Sequence, residues 1–254
     1  MPAGTVYLVG AGPGCPDLLT LRAAALLEAA DVIVYDRLIQ PAVLDLANPA
    51  AERIFVGKQL GGPASQQDDI HAVLLRKARE GKTVVRLKGG DPFMFGRGGE
   101  EAAFLAGNDV PFEVVPGVSS ALAAPLRAGI PVTHRGVAAS VAFVTGHEAN
   151  DDLTALDWPA LARMHTLVFM MAVGNVRLIV SRLIESGRLA STPVAMIRSA
   201  YWDDEQIITS TLAEIAAEVD RAGIRPPATL VVGDVVRMRE TLARVRTPPE
   251  QARL

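Results

Sequence analysis

The sequence predicts an α/β protein of two domains, and three observations carry that reading. Short β-branched runs alternate with Ala- and Leu-rich amphipathic stretches, the pattern of strands covered by helices. Glycine-rich loops follow directly on strand-sized runs. A stretch punctuated by Pro125, Gly129 and Pro131 then separates two such series, and 254 residues leave room for two cores.

Val6–Gly10 reads as a first buried strand, after which Thr20 caps a helix reaching Ala29. Val32–Tyr35 and Ile54–Val56 are the next strands. Ser65 opens a helix that Gly81 and Lys82 stop after Glu80. Val84–Leu87 is a fourth strand, followed by the Gly-rich segment Lys88–Gly99, a helix to Ala106, and a fifth strand at Phe112–Val115. The two prolines and one glycine of Pro125–Pro131 argue against regular structure, which sets the domains at 1–128 and 129–254. The second domain restarts with strands at Val141–Thr145 and Leu167–Met170 and a helix over Val176–Glu185. Strands Val194–Ile197 and Ile207–Ser210, a helix over Leu212–Ala222 and a strand at Thr229–Val232 complete it. No helix fits between Val194–Ile197 and Ile207–Ser210, so these pair as an antiparallel hairpin. The second sheet is therefore mixed, the first mostly parallel.

Half of the residues are hydrophobic, 21% are charged, and the formal net charge is −3. These values exclude a disordered chain and a polybasic nucleic-acid binder. No apolar run approaches the ~20 residues of a membrane span, and no secretory signal is visible at the N-terminus. The expectation is a cytoplasmic globular protein with neither nucleic acid nor membrane as partner. Cys15 is the only cysteine, and His71, His134, His147 and His165 keep no ligand spacing, so no metal is expected. Gly-x-Ser-x-Gly does not occur. Of 25 basic residues only Lys58, Lys77, Lys82 and Lys88 are lysines. Coding bias explains most of that split, while bidentate binding of carboxylates gives individual arginines a purpose lysine cannot serve.

Open parallel sheets bind ligands beyond the carboxyl ends of their strands, and the unusual residues lie there. Gly10-Ala11-Gly12-Pro13-Gly14 follows the first strand. It is not a dinucleotide fingerprint, because Cys15 stands where that pattern needs glycine and Asp31 precedes a strand. After the fourth strand, five glycines fall within eleven positions, 89–99, in a loop that presents Lys88, Asp91, Arg97 and the Glu100–Glu101 pair. No Lys-Ser or Lys-Thr closes it, so it is not a P-loop. Glu100 also suits a helix start, where the macrodipole favours an acid. Asp36-Arg37 at the end of the second strand, and Lys58 past the third, read either as site groups or as surface ion pairs. Ser119 and Ser120 sit where helix caps belong.

Together these blocks resemble the tetrapyrrole methylases. Val9–Gly14 with Asp17–Leu21 behind it is similar to the family's opening motif, and Val85–Glu101 to the second signature of its uroporphyrinogen-III C-methyltransferase branch. Val34–Leu38, Phe55–Lys58, Val115–Ser119, Thr133–Arg135, Val144–His147 and Thr166–Met171 follow in family order. The resemblance implies two α/β domains with an active-site cleft between them, a homodimer, and S-adenosylmethionine as methyl donor, with S-adenosylhomocysteine as product and no metal. It implies two methylations, at carbons 2 and 7 of uroporphyrinogen III, giving precorrin-2 through precorrin-1 for sirohaem or cobalamin synthesis. It also implies a stand-alone enzyme, without the modules fused to some members.

By motif match, the resemblance implies donor contacts at Pro13, Gly89, Gly90, Asp91, Met94, Ser119, Ser120, Met171, Ala200 and Ala228. It implies catalytic roles for Asp36, Lys58, Arg97 and Glu100, and tetrapyrrole contacts at Arg97, Glu100, Arg135 and Met171. Ser199-Ala200-Tyr201-Trp202 departs from the Gly-Thr pair of many members. Three alternatives stay open: another precorrin methyltransferase, a nicotinamide oxidoreductase, which the glycine spacing disfavours, and a non-catalytic tetrapyrrole-binding protein.

Overall fold

The computed structural model describes residues 3–57, 67–146 and 153–243, and the chain divides into two compact units, Met1–Ser120 and Ala121–Leu254. Among the described residues no helix is long and apolar enough to cross a membrane.

The first unit runs β1 (Val6–Gly10), α1 (Leu21–Ala29), β2 (Val32–Tyr35), α2 (Pro41–Leu44), β3 (Glu52–Phe55), α3 (Gln67–Arg79), β4 (Val84–Lys88), α4 (Gly98–Gly107) and β5 (Phe112–Val115). Thr20 caps α1 as expected, its hydroxyl accepting from the Ala23 N–H at 3.1 Å. The short helix α2, entered through Pro41, was not legible as a periodic run. The sheet order is β3-β2-β4-β1-β5, with every pairing parallel. Val9, Ile33, Val85 and Leu87 pack with Leu26, Leu27 and Val43 of α1 and α2. Val6, Leu8, Val32 and Val34 pack with Ile70, Leu74 and Leu105 of α3 and α4. Both faces are covered, which is why the inner strands β1 and β2 read as unbroken apolar runs. The neighbours β1 and β4 lead into helices on opposite faces, so their carboxyl ends form the topological switch point of the sheet.

At that point three loops meet backbone to backbone. Gly12 and Gly90 exchange hydrogen bonds, 3.2 Å from Gly12 N to Gly90 O and 2.7 Å in return. A Cβ on Gly117 would lie 2.2 Å from the Gly90 carbonyl oxygen and 2.7 Å from the Gly10 Cα. Hydrogen is the only side chain that fits there, because the obstacle is main chain and cannot turn aside.

In the second unit, α5 (Ser120–Arg127) is followed by β6 (Val141–Thr145), α6 (Trp158–Ala162), β7 (Thr166–Met170), α7 (Val176–Glu185), β8 (Pro193–Arg198), β9 (Gln206–Thr211), α8 (Ile215–Arg221), β10 (Ala228–Val232) and α9 (Met238–Ala243). The two units meet at the first residue of α5, and Ala124, Ala128 and Ile130 pack with Ala195, Ile197 and Val231. The expectation that Pro125–Pro131 lacks regular structure is corrected: α5 runs through Pro125 to Arg127. A proline forfeits one ladder bond, and here it falls in the last turn. The Ile130 N–H then donates to Pro125 O and the Gly129 N–H to Leu126 O, a Schellman closure with Gly129 at φ +73°.

The sheet order is β6-β7-β10-β8-β9. The β8–β9 hairpin is antiparallel, β6 pairs parallel with β7, and β10 runs antiparallel to both of its neighbours, so the sheet is mixed as expected. The helix expected from Leu212 starts only at Ile215, since the Leu212 N–H is donated to Thr192 O across the hairpin. The core includes Trp158 stacked on Phe169, with centroids 6.3 Å apart.

Gly117→Ala is expected to lower the unfolding free energy by about 1–3 kcal/mol through forced backbone displacement. A shifted denaturant midpoint at unchanged slope is the measurement, and an unshifted midpoint refutes the close approach.

Candidate active site

The glycine crossing fixes the walls of a crest at the carboxyl end of the first sheet. Pro13 lies on the β1 loop, Gly89, Gly90, Asp91 and Met94 on the β4 loop, and Ser119 and Ser120 follow β5, so the structure gathers all seven at one edge. Asp91 acts within the protein: one carboxylate oxygen accepts from the Phe93 N–H at 2.9 Å, the other from the Gly117 N–H at 3.1 Å. It ties the β4 loop to the β5 loop, which leaves main-chain groups of Gly89 and Gly90 to line the crest.

The β4 loop continues through two non-glycine residues in the left-handed region, Phe95 at φ 53° and Arg97 at φ 58°. Each conformation costs about 1–3 kcal/mol and persists only where surrounding structure holds it. Arg97 also precedes α4 as its N-cap residue. From there its Nε and Nη2 donate to the two carboxylate oxygens of Glu100 at 2.9 and 2.6 Å, a bidentate pair on an exposed rim. That bond raises the Arg97 pKa and holds the Glu100 carboxyl below its ordinary value.

Asp36, just past β2, is half-buried. Its Oδ1 accepts from the Leu38 N–H at 3.0 Å and its Oδ2 from Arg86 at 3.4 Å. The carboxylate is thus paired with a residue of the neighbouring strand β4 and not with Arg37. Two further readings are corrected. Lys88 is not displayed by the loop: it ends β4 buried, its Nζ 3.0 Å from both oxygens of Glu101. Burial pushes the Lys88 pKa down, the nearby Arg86 adding to that and Glu101 opposing it. The Glu100–Glu101 pair is also divided, since one turn of α4 points Glu100 to the rim and Glu101 into the interior, where it is 0% exposed. Arg86, itself buried, donates to Glu101 Oε1 at 3.1 Å and completes the cluster. The sequence signal for it was a charged residue inside an otherwise apolar strand, VVRLK.

In the second unit, β10 is antiparallel to β7 and β8, with Ala228 opposite Arg198 and Thr229 opposite Met170. Met171, Ala200 and Ala228 therefore share one end of that sheet. Met171, Ser199 and Tyr201 take positive φ there, at 57°, 49° and 70°. The Ser199 hydroxyl is buried and has no hydrogen-bond partner among the described residues. Arg135 is exposed on the turn that closes at the His134–Ala138 bridge. Lys58 and His147 lie outside the described residues. Among the described residues no group of three or more His, Cys, Asp or Glu is placed to hold a metal ion.

Residues 5–216 match the family model described as Tetrapyrrole (Corrin/Porphyrin) Methylases. A siroheme synthase of Azotobacter vinelandii is 52% identical over 241 residues, 94% of this chain and 52% of that protein. The chain thus spans about half the length of the siroheme synthases it matches. A Methanosarcina barkeri protein named S-adenosyl-L-methionine-dependent uroporphyrinogen III methyltransferase is 48% identical over 246 residues, 96% of both chains. The solved uroporphyrin-III C-methyl transferase of Thermus thermophilus, complexed with S-adenyl homocysteine, is 45% identical with a TM-score of 0.80, over 92% of this chain and 99% of that one. These matches show that the chain belongs to the tetrapyrrole methylase family.

Proposed function

We propose that this chain is an S-adenosylmethionine-dependent C-methyltransferase acting on uroporphyrinogen III, and that it adds two methyl groups, at carbons 2 and 7, to give precorrin-2. The observation that carries the reading is the backbone-lined crest at the β1–β4 switch point, with Asp36 and the Arg97–Glu100 pair beside it. It is supported by the Methanosarcina barkeri relative, which matches over nearly its whole length. The remaining assignments, a homodimer in the cytoplasm serving sirohaem or cobalamin synthesis, belong to the same proposal.

The residues present fit the donor. At Gly89 and Gly90 no side chain stands between a ligand and the main chain, Pro13 is assigned to the same wall, and Asp91, held by the Phe93 and Gly117 N–H groups, ties the loop in place. Met94, Ser119 and Ser120 are assigned to the same ligand. In the second unit the assignment is Met171, Ala200 and Ala228, with the orphaned Ser199 hydroxyl offering a hydrogen bond to a ribose or adenine group. When bound, the donor supplies an electrophilic methyl on a sulfonium.

Methyl transfer to an electron-rich pyrrole carbon demands positioning above all, and then removal of one proton from the macrocycle. The substrate carries eight carboxylates, for which arginine is the matching clamp. Arg97 Nη1 takes no part in the Glu100 pair and is the atom assigned to a substrate carboxylate, with Arg135 assigned to another. Glu100, its pKa lowered by Arg97, stands as a carboxylate at neutral pH, the form that accepts a pyrrole N–H or a proton. Asp36, fixed through both oxygens, orients the macrocycle, and Lys58 is assigned an acid–base role.

Anaerobic incubation with S-adenosylmethionine and uroporphyrinogen III, followed by mass analysis, is expected to show one and then two added methyl groups. A product without added mass refutes the assignment. Arg97→Lys is expected to lower kcat/KM by about tenfold or more, because a point charge replaces the planar fork. Full activity in that variant removes Arg97 from the site. S-adenosylhomocysteine at about 100 times its Kd is expected to stabilise the fold by about 2.7 kcal/mol in a thermal melt, with no effect of NAD; the reverse pattern favours the oxidoreductase reading.

A further inference from the structure

Of the charges buried behind Asp36, Arg86 enters the scheme above only as a partner of that carboxylate, and Glu101 and Lys88 do not enter it. Glu101 is fully buried on α4, yet it accepts hydrogen bonds from three residues on two elements: Arg86 and Lys88 on β4, and Gln67 on α3, whose Nε2 lies 3.2 Å away. Burying ionised side chains is strongly unfavourable unless each is paired, and an apolar cluster of the same volume holds a fold at least as well. Stability alone therefore gives no reason for the arrangement.

The geometry of Arg86 supplies one. Its guanidinium spends Nε on Glu101, directs Nη1 to the carbonyl oxygens of Leu87 at 3.1 Å and Val34 at 3.4 Å, and extends Nη2 to Asp36 Oδ2 at 3.4 Å. Two of its three nitrogens are thus held, by three partners, before the fork reaches Asp36. Two cations, Arg86 and Lys88, face one buried carboxylate, and Asp36 provides the second negative charge of the group. With Oδ1 held by the Leu38 N–H, the carboxylate is fixed in both position and rotation.

We propose that Arg86 is a positioning residue for methyl transfer: anchored by Glu101, it fixes the Asp36 carboxylate in the orientation the macrocycle meets. The proposal rests on the reading of Asp36 as a site group. A lysine at position 86 keeps the charge but loses the planar fork, so it cannot serve Glu101, two carbonyls and Asp36 together.

The test is a double-mutant cycle on the full chain with Arg86→Lys, Asp36→Asn and the double variant, read as kcat, KM for the donor, S-adenosylhomocysteine affinity and melting temperature. Arg86→Lys is expected to lower kcat by about tenfold at unchanged donor KM and S-adenosylhomocysteine affinity, and to lower it by less than about twofold further in the Asp36→Asn background. Equal losses in both backgrounds, or wild-type turnover in Arg86→Lys, overturn the proposal. Absence of methyl transfer in the unaltered protein, or full turnover in Asp36→Asn, instead overturns the functional reading. In that case a crystal structure of Arg86→Lys decides on geometry alone. An Asp36 carboxylate rotated off the Leu38 N–H supports the proposal, and an unchanged one defeats it. If Arg86→Lys does not fold, Arg86→Gln, which keeps a forked amide, goes through the same cycle.

Discussion

The crossing of Gly10, Gly90 and Gly117 is the constraint on which the rest of the first unit depends. Main chain packs on main chain there, with no side chain to absorb an error, so the carboxyl ends of β1, β4 and β5 are locked at one height. Asp91 can bridge two loops only because the crossing brings Gly117 to it. The left-handed turns at Phe95 and Arg97 follow from the same anchored loop, and they set Arg97 at the mouth of α4 in reach of Glu100. A surface built this way offers main-chain donors and acceptors in fixed directions, as a reaction governed by orientation requires.

Behind the crest lies a second kind of order. Glu101, Arg86 and Lys88 form a buried ionic group at the end of β4, and Asp36 joins it from β2. Low polarity around such a group strengthens each interaction and penalises any charge left unpaired. The exposed Arg97–Glu100 pair differs in kind: both side chains reach solvent, which screens their attraction. The first unit thus pairs a buried charge cluster with an exposed charged rim, and Arg86, Lys88, Arg97, Glu100 and Glu101 of both come from the one β4–loop–α4 segment.

Much of the architecture was legible because it rests on local periodicity. β1, β2, β5, β6 and α7 fall on the expected residues, and the β8–β9 hairpin follows from the short connection between its strands. The structure departs from local periodicity where tertiary packing decides. Pro125 sits inside α5 because the second core receives Ala124 and Ile130 and a Schellman turn closes the helix behind it. Leu212 is withheld from α8 by a hydrogen bond to a residue of another strand connection. Neighbours in sequence also misled: Asp36 pairs with Arg86, fifty positions away, in place of Arg37 beside it.

The sequence by itself determined the two α/β halves, the mixed second sheet, the glycine loops and the family whose motifs those loops carry. These are properties of short segments, fixed by side-chain period, turn chemistry and residue type. Only the tertiary structure decided that Asp91 ties loops together, that Lys88 is buried, that Glu100 and Glu101 serve opposite sides of α4, and that Arg86 stands behind Asp36. The physical reason is that a charged side chain takes its state from the partners and solvent around it. Those are set by which strands lie side by side, which no single segment of the chain contains.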